Sequence, residues 1–202
     1  MRSSPFNNLP RWSCGIAAGM LAVYFLCINR HDLSVTIASF FLLLICTTDT
    51  LYAKIPNYFT LILALGGVLL HSWQGGSHGL MTALLGLLTG FLILIIPYLL
   101  GGMGAGDVKA LAALGALLGP ETILQVALYM ALFGGLISVL YYLSTRNLIT
   151  MCRAGLNTLT AFFYTRDIRI IAPESSVKSL RFPYATAIAF GFFAHNYWGN
   201  LI

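Results

Sequence analysis

Charged side chains are scarce in this chain of 202 residues. Only 8% of the residues are Asp, Glu, Lys or Arg, and 58% are hydrophobic, whereas about 25% of the residues of an average soluble domain are charged. A soluble domain of this length needs a charged surface, and this sequence cannot supply one. The composition therefore excludes an ordinary soluble protein and predicts a membrane protein.

Paired cysteines are also missing. The four cysteines are Cys14, Cys27, Cys46 and Cys152; three of them lie in apolar runs, and no two form a C-x-x-C pair. This pattern indicates neither a disulfide framework nor a thiolate zinc site. We interpret the cysteines as small apolar side chains.

Apolar runs recur along the whole sequence, and several approach or reach the roughly 20 residues with which a helix crosses a bilayer. They predict an all-α fold: a polytopic transmembrane helical bundle of about six or seven spans, forming one integral-membrane domain over residues 1–202. The stretch 145–181 is the only long polar connection, and it is predicted to be a long cytoplasmic loop. The predicted spans are 12–28, 33–50, 57–73, 79–100, 107–119, 122–144 and 183–202.

Lysine and arginine are distributed unevenly between the two sides of this predicted bundle. If the N-terminus is inside, all of the 11 basic residues except Arg30 fall on the inner side. The positive-inside rule then places the N-terminus and the loop 145–181 in the cytoplasm. Topology and contact with the lipid bilayer explain this charge. No nucleic-acid recognition module accompanies it, so no nucleic-acid partner is expected.

Two of the six acidic residues lie at the ends of apolar runs and not in predicted loops. Asp49 ends the run SFFLLLICTTD, and Asp107 begins the run DVKALAALGALLG. In the predicted topology both lie at cytoplasmic helix ends at similar depth. Carboxylates embedded at that level are costly and are functional candidates by default. Because the intervening chain crosses the membrane out and back, the two can meet in space.

Two carboxylates that face one cavity of low dielectric constant cannot both ionise easily, so they share a proton. One can act as a base on a water molecule while the other, protonated, polarises a carbonyl group. This is the chemistry of an aspartic protease, and it needs neither a metal nor another cofactor. His31, His71, His78 and His195 all fall on the opposite side of the predicted bundle.

Two alternatives to the protease stay open at this point. Asp49 and Asp107 could hold Mg²⁺, for which carboxylates are the usual protein ligands. They could also form an ion or proton relay in a non-enzymatic transporter or channel. A relay is expected near the bilayer midplane, whereas the two carboxylates are predicted at one interface.

Five residues near the two carboxylates are candidates for substrate binding or for tuning the carboxylates. For the two lysines the alternative is an interfacial anchor, and for the asparagine it is a helix cap. For the two glycines, which let a backbone approach closely beside Asp107, the alternative is plain packing. The five are Lys54, Asn57, Gly104, Gly106 and Lys109.

At these residues the sequence resembles the type IV prepilin peptidases, which are membrane aspartic proteases with a GxGD motif. The first matching block, DTLYAKIPN, covers residues 49–57 and is similar to the family's Asp, basic region and I-P-N. The second, GAGDVK, covers residues 104–109 and is followed by ALAALGALLGP. A third and weaker match, RFPYATAIAFG, covers residues 181–191. Together the blocks extend over roughly residues 35–195.

The resemblance implies an activity. Such enzymes remove a short basic leader from prepilin or pseudopilin precursors at the cytoplasmic face of the bacterial inner membrane, and Asp49 and Asp107 match their catalytic pair. Larger members carry a cytoplasmic insertion with paired cysteines and N-methylate the new terminus. This chain has neither feature, so it looks like the short, peptidase-only branch that serves Flp/Tad-type pili or related systems. The first block is less basic than is typical, with Thr50, Leu51 and Tyr52 where Arg or Lys is frequent.

Overall fold

The computed structural model describes residues 9–28, 32–52, 54–100, 103–144 and 184–201. Within these ranges all regular structure is helical and no strand occurs, which confirms the predicted all-α fold. The long loop predicted at 145–181 lies outside the described residues. The helices of the described residues are α1 (Leu9–Ile28), α2 (Leu33–Tyr52), α3 (Asn57–Leu99), α4 (Ala105–Leu118), α5 (Pro120–Ser144) and α6 (Tyr184–Trp198).

Three of the described helices are long and apolar enough to cross a membrane. They are α2, α3 and the Pro120–Ile137 part of α5, and α1 adds a shorter apolar helix over Trp12–Ile28. These helices, packed into one bundle, confirm the expected helical membrane architecture.

The long helix α3 is a hairpin of two arms. A straight helix of its 43 residues would be about 65 Å long, twice the roughly 30 Å hydrocarbon core of a bilayer. At Gly76 the backbone leaves the helix with φ 56° and ψ −132°, a conformation that residues with a Cβ rarely adopt. The chain folds back there, so that Gly79 lies against the backbone of His71. The two arms correspond to the predicted spans 57–73 and 79–100.

The short helix α4 is the centre of the bundle. Apart from the exposed Lys109, every residue from Asp107 to Leu117 is buried, as expected for a helix that is apolar on all sides. Both arms of α3 pack against it through glycines. In the first arm, Gly67 lies against the backbone of Ala116 of α4. In the second arm, Gly86 lies against Gly115 of α4. Small residues allow helix backbones to approach this closely.

Helices α1, α5 and α6 complete the bundle around α2 and α4. Phe25 of α1 stacks on Phe193 of α6, with ring centroids 4.9 Å apart. Gly191 of α6 lies against the backbone of Met130 in α5, where a Cβ would be 2.7 Å from the Met130 nitrogen. Most of the apolar surface of α6 is therefore buried between its neighbours.

The two ends of the bundle hold different groups. At one end, which we call the Asp rim, the last turn of α2 carries Asp49 and the first turn of α4 carries Asp107. At the opposite rim, α3 turns at Gly76 and His71 Nε2 lies 3.1 Å from the carbonyl oxygen of Leu117. The structure therefore delivers the two carboxylates to the same end of the bundle, as the sequence predicts.

Candidate active site at the Asp rim

Asp107 is held by its own stretch of sequence. It is the third residue of α4, and Gly104 precedes the helix in an extended conformation. The backbone N–H of Gly104 donates to Asp107 Oδ2 at 3.2 Å, and the backbone N–H of Asp107 donates to the Gly104 carbonyl at 3.1 Å. This reciprocal pair of bonds resembles a capping box. It fixes the carboxyl group of Asp107, whose side chain is only 9% exposed.

Asp49 lies half-buried in the last turn of α2. Helix α2 contacts α4. Asp49 and Asp107 therefore lie at the same end of the bundle, on two helices that contact each other, although 57 residues of chain separate them. The structure thus brings together the two carboxylates that the sequence singled out.

Lys109 and Asn57 contact each other at the same rim. Lys109 Nζ donates to Asn57 Oδ1 at 3.1 Å, and both side chains are exposed. The cap of α3 is Pro56, with φ −65° and ψ 131° and no side-chain hydrogen bond. The interpretation of Asn57 as the cap is therefore wrong, because Pro56 fixes the extended cap conformation and the helix begins with Asn57. A role for either side chain in substrate binding stays a prediction, as it does for the exposed Lys54.

The two glycines of the GxGD motif make different contacts. A Cβ on Gly104 would lie 3.2 Å from Asp107 Oδ2, so this glycine leaves room for the carboxyl group. A Cβ on Gly106 would lie 3.2 Å from Cβ of Ile55, so this glycine lets Ile55 pack on the first turn of α4. These contacts support the packing interpretation, and substrate contact by either glycine stays a prediction.

Sequence reasoning missed the residues that hold the turn around Asp49. Cys46 Sγ donates to the carbonyl oxygen of Ala185 in α6 at 3.5 Å, and Thr50 Oγ1 donates to the carbonyl oxygen of Cys46 at 2.6 Å. The third sequence block contains Ala185, so the resemblance could have indicated that α6 begins beside this turn. No feature of the sequence pairs Thr50 with its neighbour in α1, which is Gly15.

Metal ligands are sparse at this rim. Over the ranges that the structure describes, no group of three or more His, Cys, Asp and Glu side chains is placed to hold a metal ion. His71 bonds to the end of α4 and lies at the opposite rim.

The model of the type IV leader peptidase family matches residues 36–139, just over half of the chain. The chain belongs to the type IV leader peptidase family. This confirms the family that the sequence blocks indicated. Comparisons with curated proteins and with solved structures each give no significant match.

The family membership makes the chain a peptidase, and its helices make it a membrane protein. The matched range contains Asp49, Asp107 and the five candidate residues beside them, and it ends within α5. Helices α1 and α6 lie outside that range, although both contact the turn that carries Asp49. For this leader peptidase, the Asp rim is the candidate active site.

Proposed function

We propose that the chain is a membrane-embedded aspartic endopeptidase that removes the short basic leader of prepilin or pseudopilin precursors. One observation supports this most directly: Asp49 and Asp107 are carried by two helices that contact each other, and both lie at the same rim of the bundle. In a member of the leader peptidase family, such a pair supplies the two groups that hydrolysis of a peptide bond requires.

The proposed mechanism uses one proton shared by the pair, since two close carboxylates cannot both ionise easily. The ionised carboxylate takes a proton from water while the water oxygen attacks the scissile carbonyl carbon. The protonated carboxyl group donates to the carbonyl oxygen. The tetrahedral intermediate then collapses when the leaving nitrogen receives a proton. No cofactor takes part in these steps.

We place this site at the cytoplasmic face of a bacterial inner membrane. Lys54 and Lys109 lie at the Asp rim. Helix α1 also begins there, since Gly15 near its start contacts Thr50. The positive-inside rule assigns such an end to the cytoplasm. A basic leader gains nothing from long-range attraction to a basic rim. Recognition therefore rests on the apolar helix of the substrate and on local contact with the two carboxylates.

Cleavage without N-methylation is the second part of the proposal. The chain contains no C-x-x-C pair, whereas the methylating members that it resembles carry paired cysteines in an insertion. The position of the carboxylates also supports the peptidase over an ion or proton relay. A relay should place its charges near the bilayer midplane, and Asp49 and Asp107 lie at helix ends.

Co-expression tests the proposal. Prepilin-like proteins from the same genome are produced with and without this chain, and the intact mass of each product is measured. We expect the mass to fall by that of the leader only when the chain is present, with no added methyl group. An unchanged mass for every precursor would contradict the proposed activity, and a methylated terminus would contradict its second part.

Substitution of Gly104 tests the clearance beside Asp107. In Gly104→Ala the new Cβ lies 3.2 Å from Asp107 Oδ2, so the carboxyl group must move by a few tenths of an ångström. The φ of −84° and ψ of 149° suit alanine, so backbone strain does not contribute. We expect kcat for leader removal to fall by about 3- to 10-fold, since small misplacements of reacting groups slow reactions.

The matched control is Gly135→Ala, at which a Cβ meets nothing within 4 Å. It should cleave the precursor at the wild-type rate. If Gly104→Ala has the same kcat as Gly135→Ala, the clearance at Gly104 has no bearing on the carboxyl group.

A further inference from the structure

The turn that carries Asp49 is in contact with α1, a helix outside the range that matches the family. Gly15 of α1 lies directly against the side chain of Thr50, the residue after Asp49. A Cβ at position 15 would overlap Thr50 Oγ1 and would lie 2.9 Å from Cγ2 and 3.1 Å from Cβ of Thr50. The absence of a side chain at Gly15 therefore sets how closely α1 approaches the end of α2.

The same turn is held from another side by α6. Thr50 Oγ1 donates to the carbonyl oxygen of Cys46, and Cys46 Sγ donates to the carbonyl oxygen of Ala185. Residues 46 and 50 are four apart and lie on one face of α2, while Asp49 is rotated by about 100° from Thr50. One face of the turn thus contacts α1 and α6, and another carries the carboxylate.

The two carboxylates are positioned by different means. Asp107 is bonded to Gly104, three residues earlier in its own sequence block. The turn of Asp49 is fixed instead by contacts with Gly15 and Ala185, which belong to other helices. A shift of α2 away from α1 would therefore move Asp49 while Asp107 keeps its local bonds.

We propose that Gly15 is a positioning residue for Asp49, setting the separation of α1 and α2 at Thr50 and with it the placement of Asp49 relative to Asp107. The catalytic consequence of this placement rests on the proposed function of the two carboxylates. Ala18 and Ala22 continue a seam of small residues along α1 from Gly15, and each is only 1% exposed. Gly19 lies outside the seam, and a Cβ there meets nothing within 4 Å.

Kinetics of two alanine variants test the role of Gly15. Gly15→Ala should lower kcat for leader removal by about 10- to 100-fold with KM changed by less than about 3-fold, because reacting groups misplaced by about 1 Å can lose that much rate. Gly19→Ala makes the same substitution in the same helix without an obstacle, and it should match the wild type. Thermal unfolding in detergent shows whether each variant is folded.

Second-site variants distinguish a steric overlap between residues 15 and 50 from a general loss of folding. Adding Thr50→Ala to Gly15→Ala removes Oγ1 and Cγ2, the two atoms nearest the new methyl group, and should restore kcat to within about 3-fold of the wild type. Adding Thr50→Val removes the hydroxyl group but keeps the branched shape, so it should not restore kcat. This pair of outcomes keeps the proposal testable even if Gly15→Ala alone folds poorly.

A cross-linking measurement tests the placement of residue 49 relative to residue 107 and does not depend on enzymatic activity. In a chain carrying both Asp49→Cys and Asp107→Cys, the rate of oxidative disulfide formation reports how the two positions face each other, because disulfides form only within a narrow geometry. Adding Gly15→Ala should slow this rate by about 5-fold or more, and adding Gly19→Ala should not. The Asp107→Cys single variant gives the rate at which residue 107 pairs with the native Cys46, and this rate is subtracted from that of the double-cysteine chain.

The outcomes distinguish the two proposals. If the wild type removes no leader, the proposed function fails, and the cross-linking rate alone decides whether Gly15 positions residue 49. If the wild type cleaves, but Gly15→Ala equals Gly19→Ala in both kcat and cross-linking rate, the positioning role of Gly15 is wrong. Restoration of kcat by Thr50→Val would also overturn it.

Discussion

Asp49→Asn and Asp107→Asn should each lower the rate of leader removal by about 10³-fold or more, within the range that loss of an acid–base group produces. Asparagine has nearly the shape of aspartate but cannot take a proton from water or share one with its partner. Each substitution therefore removes the proposed chemistry while the contact between α2 and α4 stays intact. Intact-mass measurement of the precursor shows whether it has been cleaved. The amount of the variant in the membrane fraction shows whether it has inserted.

The double variant sharpens this test. If the two carboxylates act as one unit, losing both should slow cleavage no more than losing either one, because residues of one catalytic unit are strongly non-additive. A multiplicative loss in the double variant would indicate that Asp49 and Asp107 work independently.

Asp32 supplies the matched control. Its Oδ1 accepts from the backbone N–H groups of Ser34 and Val35 at 3.0 and 3.3 Å, at the start of α2. Asparagine caps helices about as well as aspartate, so Asp32→Asn should neither destabilise the chain nor slow cleavage. If Asp49→Asn or Asp107→Asn cleaves at the rate of Asp32→Asn, the two-carboxylate mechanism is wrong.

The positions of the helices could be predicted from the sequence because apolar run length is a strong signal for a span. The run predicted at 33–50 became α2, and the runs at 57–73 and 79–100 became the two arms of α3. The placement of both carboxylates at one rim followed from the number of predicted spans between them. The chain crosses the bundle twice between α2 and α4, so it returns to the end from which it started. The bonds between Gly104 and Asp107 are equally local, as they join residues three apart.

The contacts between helices could not be predicted in the same way. In a membrane protein the lipid-facing surface is as apolar as the packed core, so the sequence does not show which face of a helix turns inward. The contact of Gly15 with Thr50 depends on the rotation of α1 and α2 about their axes. The bond from Lys109 to Asn57 likewise joins residues 52 positions apart. The assignment of Asn57 as a cap failed for a local reason instead, because Pro56 takes the cap position and α3 begins with Asn57.

The glycines show both what the sequence can predict and what only the packing of the helices reveals. Their clustering before Asp107 predicts a close approach of some kind, yet only the structure shows what approaches. Gly104 faces the carboxyl group of Asp107, Gly106 faces Ile55, and Gly15 faces Thr50. In each of these three cases the obstacle to a Cβ is a side chain, which can move or be replaced.

Gly86→Ala and Gly115→Ala should each prevent the chain from accumulating in a folded form. A Cβ on either glycine would overlap the carbonyl oxygen of the other, and a Cβ on the neighbouring Gly90 would lie 2.5 Å from the carbonyl oxygen of Leu111. The second arm of α3 would have to separate from α4, the central helix of the bundle. Overpacking destabilises the folded state by about 1–3 kcal/mol and occasionally more. We expect a value at the upper end here, because the obstacle is a backbone atom that no side-chain rotation can move.

Folded protein is measured by the monodisperse fraction extracted from the membrane and by thermal unfolding. The matched control is Gly66→Ala in the first arm of α3, where a Cβ meets nothing within 4 Å. Alanine is favoured over glycine in a helix by about 1 kcal/mol, so this variant should be at least as stable as the wild type. Normal yield and unfolding temperature for Gly86→Ala or Gly115→Ala would show that α3 and α4 are farther apart than the structure places them.

Rescue should also fail at this contact, in contrast to the contact of Gly15. A second substitution can shorten Thr50 and make room for a methyl group at position 15, but no substitution removes the carbonyl oxygen of Gly115. Gly86→Ala combined with Gly115→Ala should therefore be no more stable than either variant alone. Because α4 carries Asp107, the close approach of these two backbones holds the candidate active site as well as the fold.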